Sequence, residues 1–161
     1  MKKVYLVRHA KAEEHGFAKS DFYRDLQDKG RERANRIAQE LADKLTVDEN
    51  TLVISSAANR AFQTAEIFCP IIGYPIQDIQ TTEKIYEAHL MEILQVINDV
   101  DDQYDQVLVF GHNPGLSNLC NYLSHSEVEL ATSNVAVLQL EEGINFSMLA
   151  GGTASLIEFL K

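Results

Sequence analysis

The residues in this chain best suited to chemistry are two Arg/His-bearing ends of apolar runs, one further arginine and one carboxylate. Val4-Tyr5-Leu6-Val7 stops abruptly at Arg8-His9, and Val107-Leu108-Val109-Phe110 stops at Gly111-His112. A third apolar stretch, Leu52 to Ile54, runs into Ser55-Ser56, with Arg60 a few residues on. Two guanidiniums present forked donors that match the oxygens of a phosphoryl group. A neutral imidazole is a competent nucleophile near pH 7, and neighbouring positive charge keeps it neutral. In that arrangement His9 accepts a phosphoryl group, while His112, Arg8 and Arg60 stabilise the charge on it. A proton donor for the leaving group is then wanted. Glu87 is the best-placed carboxylate, and it reads equally well as an exposed loop residue. Asn113 caps a helix by its side chain, and its backbone N–H is available to the anion. Arg24 pairs with Asp21 or Asp25, or flanks the pocket. Taken singly, an Arg-His after a strand is a surface pair; the argument rests on the set.

These residues act together only if the elements beneath them converge. Short continuous apolar runs of this kind predict strands buried on both faces. In an open parallel sheet, ligands bind just beyond the carboxyl ends of the strands. Between the runs the period changes to a helical one. Ala34, Ile37, Ala38, Leu41, Ala42 and Leu45 predict a helix over about 28–45. A second is expected from Ala58 to Cys69, limited by Pro70 because the residue before proline disfavours the helical region. Gly73 and Pro75 mark a turn, and Ile76–Ile79 is a weak strand. Leu90, Ile93, Leu94, Ile97 and Val100 give a third helical stripe; Leu116, Leu119, Cys120 and Leu123 give a fourth, with Pro114 at its first turn. The tail reads as strands at Val135–Leu140, Ile144–Leu149 and Thr153–Leu160. Lys11 to Gln27 is a long polar loop leaving the first strand, of a length that tends to be functional. The pattern predicts an α/β fold of three layers: a mostly parallel central sheet, helices on both faces, and antiparallel pairing at the C-terminal end. Helix N-termini then gather at the rim that holds the arginines and histidines, and their free N–H groups favour anions.

Composition sets limits on partners. The 161 residues are 45% hydrophobic and 24% charged, which suits one globular domain spanning 1–161. A formal charge of −10 disfavours general nucleic-acid or anionic-membrane binding, which rest on basic surface. No apolar stretch approaches the roughly 20 residues of a membrane span, and four apolar residues after Met1-Lys2-Lys3 are too few for a signal peptide. Cys69 and Cys120 read as core residues of a cytoplasmic protein. His15, His89 and His125 have no metal-ligand spacing and read as surface residues, so neither a metal nor a cofactor is expected.

Three segments, in order, resemble a known family. Leu6-Val7-Arg8-His9-Ala10 resembles the Arg-His signature of the histidine phosphatase superfamily, which has the phosphoglycerate-mutase-like fold. Ser55-Ser56-Ala57 through Arg60 and Gln63-Thr64-Ala65 resembles its second-arginine segment, and Phe110 to Gly115 its second-histidine segment. The short chain, His9-Ala10-Lys11-Ala12 and the Asp21 to Gly30 stretch look closest to the SixA-type phosphohistidine phosphatase branch. The resemblance implies that His9 is the phosphorylated nucleophile and that Arg8, Arg60 and His112 complete the pocket, with Asn113 beside them. Two departures stand out. Ala10 replaces the glycine of many members, and Ile85-Tyr86-Glu87 matches the acid segment without the mutases' Gly- and Trp-containing continuation. The resemblance therefore implies a phosphatase acting on a phosphorylated protein such as a phosphotransfer domain. The alternatives are a small-molecule phosphomonoesterase on the same site and a non-catalytic phosphate-binding interaction module.

Overall fold

A computed structural model describes residues 1–16 and 18–161. Its frame is a six-stranded sheet in the order β3-β2-β4-β1-β5-β6. In chain order the strands are β1 (Lys3–Arg8), β2 (Thr51–Ser56), β3 (Gln80–Thr82), β4 (Gln106–Gly111), β5 (Val135–Leu140) and β6 (Ala154–Leu160). The helices are α1 (Asp28–Ala42), α2 (Asn59–Ile72), α3 (Leu90–Asn98) and α4 (Gly115–Ser124). β3, β2, β4 and β1 pair in parallel, β5 runs antiparallel to β1, and β6 antiparallel to β5. The expected α/β fold, mostly parallel with antiparallel C-terminal pairing, is the one found.

Alternation along the strands explains why the apolar runs are continuous. Val4, Leu6, Leu52, Ile54, Val107 and Val109 face a core shared with Ile93 and Ile97 of α3 and Leu116, Leu119 and Leu123 of α4. Tyr5, Val7, Val53, Leu108 and Phe110 face the opposite core, with Ile37 and Leu41 of α1 and Phe68 and Cys69 of α2. A strand buried on both faces has no position left for a polar residue until it leaves the sheet. Arg8-His9 and Gly111-His112 sit where that happens, and Arg8 pairs in register with Gly111.

Several local expectations need correction. Pro70 does not end α2; it lies inside the helix. It sits in the last turns, where a missing N–H costs one bond to Glu66, and the stop belongs to Gly73. That residue adopts φ 89°, and Gly73 N and Tyr74 N both donate to Cys69 O. Ile76–Ile79 is not a strand: Ile76–Asp78 forms a 3-10 turn, and the pairing falls on Gln80–Thr82. Ile144–Leu149 is not a return strand either, since Phe146–Met148 is a 3-10 turn and β6 supplies the return. The α1 pattern stops at Ala42, and Leu45 packs from the loop beyond.

The 11–27 segment, of which Phe17 lies outside the described residues, is a folded strap. Ala12 and Leu26 form an antiparallel bridge, Glu13 N donates to Asp25 O at 2.8 Å, and Gln27 N to Lys11 O at 2.9 Å. Gly30 in the first turn of α1 allows this, because a Cβ there would collide with the backbone of Lys11. The strap carries one 3-10 turn, Asp21–Tyr23, across the mouth of the sheet.

Candidate active site

Four of the expected residues meet at the carboxyl rim of β1, β2 and β4. His9 and His112 have ring centroids 5.3 Å apart. They are 8% and 7% exposed and Arg60 is 5% exposed, so all three are out of bulk water. The scaffold beneath them is fixed by backbone bonds. His9 N donates to Gly111 O at 3.0 Å, joining the ends of β1 and β4, and Ser133 N donates to both Arg8 O and His9 O. Ala10 N donates to Thr64 Oγ1, which itself donates to Arg60 O, so the first turns of α2 are pinned to the segment that carries His9.

Each ring has one nitrogen engaged. His9 Nδ1 lies 2.7 Å from Ala10 O, a carbonyl that can only accept, so Nδ1 carries the proton and Nε2 keeps its lone pair. His112 Nε2 lies 2.8 Å from Ser56 Oγ. That oxygen also accepts from Ala58 N at 3.2 Å. Arg8 NH1 donates to Leu130 O at 3.0 Å. Arg60 NH1 and NH2 donate to Asp21 O and Asp21 Oδ2 at 2.7 and 3.0 Å.

What remains is a set of buried polar atoms without partners: Arg8 Nε, Arg60 Nε, His112 Nδ1, Ser133 Oγ and Asn134 Nδ2. All belong to the rim or to the segment bonded to it. A buried donor left unpaired costs about 1–3 kcal/mol. Arginine and histidine donors left unpaired at one rim suit a compact anion, which would satisfy several at once.

Charge at the site follows from the same packing. Burial, then the cationic Arg60, Arg8 and Arg24, push His9 down from 6.5 to about 4, against the opposing pull of its bond to Ala10. Burial, then His9 and Arg60, push His112 down to about 3. Both imidazoles are therefore neutral at pH 7. Asp21 opposes the positive field: burial works against its charge, but hydrogen bonds from Tyr86, Arg24 and Arg60 hold its carboxyl far below the usual carboxylate range.

The other expected residues lie nearby with different surroundings. Glu87 is exposed, has φ 52°, and borders a recess of about 390 Å³ with Ala88, His89, His112, Asn113 and Pro114. The Asn113 side chain is committed within the protein: Oδ1 accepts from Ser117 N and Oγ, and Nδ2 donates to Leu130 O and Glu129 Oε1. It braces the start of α4, whose cap residue is Pro114. Arg24 pairs with Asp21 at 2.7 Å, as one reading of its spacing had it, and its charge also reaches His9. His89 caps α3, its Nδ1 accepting from Met91 N. A larger recess of about 590 Å³ opens around Asp48, Tyr74, Asp78 and Tyr104 at the opposite end of β2, and neither Arg nor His lines it. Among the described residues no group of three His, Cys, Asp or Glu is arranged to hold a metal ion, and no helix is long and apolar enough to cross a membrane.

Sequence reasoning missed Tyr86 and the central position of Asp21. Tyr86 OH donates to Asp21 Oδ2 at 2.6 Å, and its ring packs 5.6 Å from His112. Nothing in the pattern of Ile85-Tyr86-Glu87 shows which way the phenol turns. For Asp21 the signal was its spacing of three from Arg24, which suggested only a local pair.

Known proteins share this fold. The family model of the histidine phosphatase superfamily (branch 1) matches residues 4–108. No curated protein matches the chain in sequence. Among solved structures, a provisionally assigned phosphohistidine phosphatase SixA from Agrobacterium tumefaciens is 27% identical, covers 99% of this chain and 97% of its own, and superposes with a TM-score of 0.80. A SixA likewise provisionally assigned from Nakamurella multipartitia is 23% identical over 98% of this chain and 94% of its own, with a TM-score of 0.83. A protein histidine phosphatase SixA complexed with tungstate is 20% identical over 99% of this chain and 96% of its own, with a TM-score of 0.81; these last two are likenesses of fold.

Proposed function

The chain belongs to the histidine phosphatase superfamily and is a phosphatase, and from that premise we propose that it hydrolyses phosphohistidine on a protein through a covalent intermediate at His9. The observation that carries the reading is the cluster of unpartnered buried donors, Arg8 Nε, Arg60 Nε and His112 Nδ1, beside a neutral His9. Tungstate, an oxyanion like phosphate, is the molecule bound to one relative of the same fold.

The steps follow from the donor inventory. The His9 Nε2 lone pair attacks phosphorus, and the bond from phosphorus to the substrate's imidazole nitrogen breaks. Arg8 and Arg60 bind the equatorial oxygens. Ser56 Oγ, which accepts from Ala58 N, has its own hydrogen to give His112 Nε2; Nδ1–H then donates to the phosphoryl group. The substrate's ring, protonated on its other nitrogen before transfer, takes the electron pair of the broken P–N bond and departs as neutral imidazole. Water then attacks the phosphorylated His9, the P–N bond breaks, and inorganic phosphate and free His9 result.

The leaving group decides between substrates. An imidazole that departs neutral needs less acid assistance than an alkoxide. Glu87, exposed and on the far border of the recess, is thus a donor that an ester requires more than phosphohistidine does. Asn113 contributes through its backbone, because its side chain is committed to the α4 start. A small-molecule phosphomonoesterase is the second reading, favoured by the recess of about 390 Å³ beside His112, which has room for a small leaving group.

The test sets a phosphohistidine-bearing phosphotransfer domain against a panel of sugar phosphates and nucleotides. Release of phosphate from the protein substrate is expected, with rapid-quench mass spectrometry finding a phosphoryl group on the His9 peptide. Clear turnover of the small esters without turnover of the protein would overturn the substrate assignment. Phosphate binding without a labelled His9 would overturn the covalent mechanism. In the Glu87→Gln variant, ester hydrolysis is expected to fall by about 10²-fold, the usual worth of a positioned acid, and phosphohistidine hydrolysis by much less.

A further inference from the structure

Asp21 sits on the strap, bears a negative charge beside a site built for an anion, and is nevertheless the most heavily bonded side chain at the rim. Arg60 donates to it twice, from NH1 to the backbone oxygen at 2.7 Å and from NH2 to Oδ2 at 3.0 Å. Arg24 donates Nε to Oδ1 at 2.9 Å and holds NH2 2.7 Å from it in an ion pair, and His15 Nε2 lies 3.3 Å from the same oxygen. Tyr86 OH completes Oδ2 at 2.6 Å.

We infer that Asp21 is a positioning residue for phosphoryl transfer, holding the end of the Arg60 guanidinium so that its Nε side faces the phosphoryl group. A guanidinium carries five N–H donors in a rigid plane. When one residue takes a bond from each terminal nitrogen, the end of the plane is occupied. The fork that remains is Nε–H with the second hydrogen of its neighbour, and Arg60 Nε is the buried atom without a partner. Its planar geometry means that fixing two nitrogens fixes the third. A flexible Arg60 would reach the same oxygens only in a fraction of its rotamers.

The carboxylate holds a second part of the site by the same contacts. The Tyr86 ring that Asp21 anchors stands 5.6 Å from His112 and 5.9 Å from the Arg60 guanidinium carbon. Phe22 packs on Tyr86 with ring centroids 5.1 Å apart. The wall beside His112 and the arginine fork are thus set by one side chain. By charge alone Asp21 repels the substrate, so its value to the reaction is geometric. That combination distinguishes positioning from mere stabilisation, because removing the charge ought to slow turnover without weakening the anion.

The inference rests on phosphatase chemistry at this site and is independent of which leaving group is used. The experiment compares wild type with Asp21→Asn and Asp21→Glu in the full chain. The assays are hydrolysis of para-nitrophenyl phosphate and of the phosphohistidine-bearing domain, with inorganic phosphate as competitive inhibitor. Asp21→Asn is expected to lower kcat by about 10- to 100-fold, the scale of an ångström of misplacement at a reacting centre, while the inhibition constant for phosphate stays the same or tightens. Asp21→Glu, which restores the charge on a longer arm, is expected to recover part of kcat. A kcat for Asp21→Asn close to wild type would overturn the inference. So would parallel losses in kcat and in phosphate affinity, since that pattern belongs to a site that has come apart. If Asp21→Asn does not fold, judged by circular dichroism, Tyr86→Phe removes one bond to the same carboxylate, and an unchanged kcat there counts against the proposal. A wild type that cleaves the nitrophenyl ester but not phosphohistidine overturns the substrate reading alone, and the Asp21 comparison stands on the ester.

Discussion

Acidification from pH 6.5 to 5 tests whether the two site histidines are buried as neutral bases. In the unfolded chain each takes up a proton near 6.5; in the folded protein His9 does so only near 4 and His112 near 3. Between those values the unfolded state binds more protons, so stability is complete above pH 6.5 and declines as the pH falls through the window. At about 1.4 kcal/mol per pH unit, the loss by pH 5 is about 2 kcal/mol for His9 alone. His112 adds less than the same again, because a proton on one ring disfavours a proton on the other. For a chain of this size 2 kcal/mol lowers Tm by about 5 °C. Two measurements apply. Calorimetric scans at pH 6.5 and 5 are expected to show at least that drop, and the drop should shrink in His9→Gln. Carbon-13 titration of the imidazole Cε1 positions, assigned with His9→Gln and His112→Gln, should show two rings still neutral at pH 5. Rings that titrate near 6.5, together with a flat Tm, would refute the claim that burial and arginine charge keep His9 neutral. The charge state follows the same sign: at pH 5.5 an ordinary histidine is about one-tenth neutral, whereas His9 is nearly all neutral.

Arg60→Lys keeps the charge but gives up the planar fork and at least one of the two bonds to Asp21; kcat/KM is expected to fall by about 10²-fold, measurable by steady-state assay. Gly115→Ala tests the contact between the Glu87 loop and the start of α4. A Cβ at Gly115 would stand 2.5 Å from Ala88 O and 2.7 Å from Ile93 Cδ1. The clash with backbone should destabilise by about 1–3 kcal/mol, outweighing the helix preference of alanine, and urea denaturation would show a lower midpoint.

The rim that gathers Arg8, His9 and His112 was legible because strand burial leaves a strong mark. Val4–Val7 and Val107–Phe110 are apolar at every position since their residues alternate between two cores, and each run ends where the strand leaves the sheet. That is why Arg8, His9 and His112 could be read from local sequence. The weaker signals failed where a short apolar stretch has no core on both sides. Ile76–Ile79 and Ile144–Leu149 have apolar residues at strand-like density, yet the first makes a 3-10 turn beside β2 and the second one that buries Phe146 beneath α3. Pro70 misled for another reason: proline is costly inside a helix through one lost bond, and near the C-terminus Gly73 supplies a better stop.

By itself the chain determined the order of elements, the three-layer arrangement and the identity of the residues at the strand ends, because period and burial are properties of neighbouring residues. Which nitrogen of each imidazole is free, that the Asn113 side chain bonds Leu130, and that Asp21 reaches Arg60 thirty-nine positions away were decided by tertiary structure. Those facts depend on hydrogen bonds between segments remote in sequence. A side chain's partners are set by where the strap and the loops come to rest, and spacing along the chain carries no record of that.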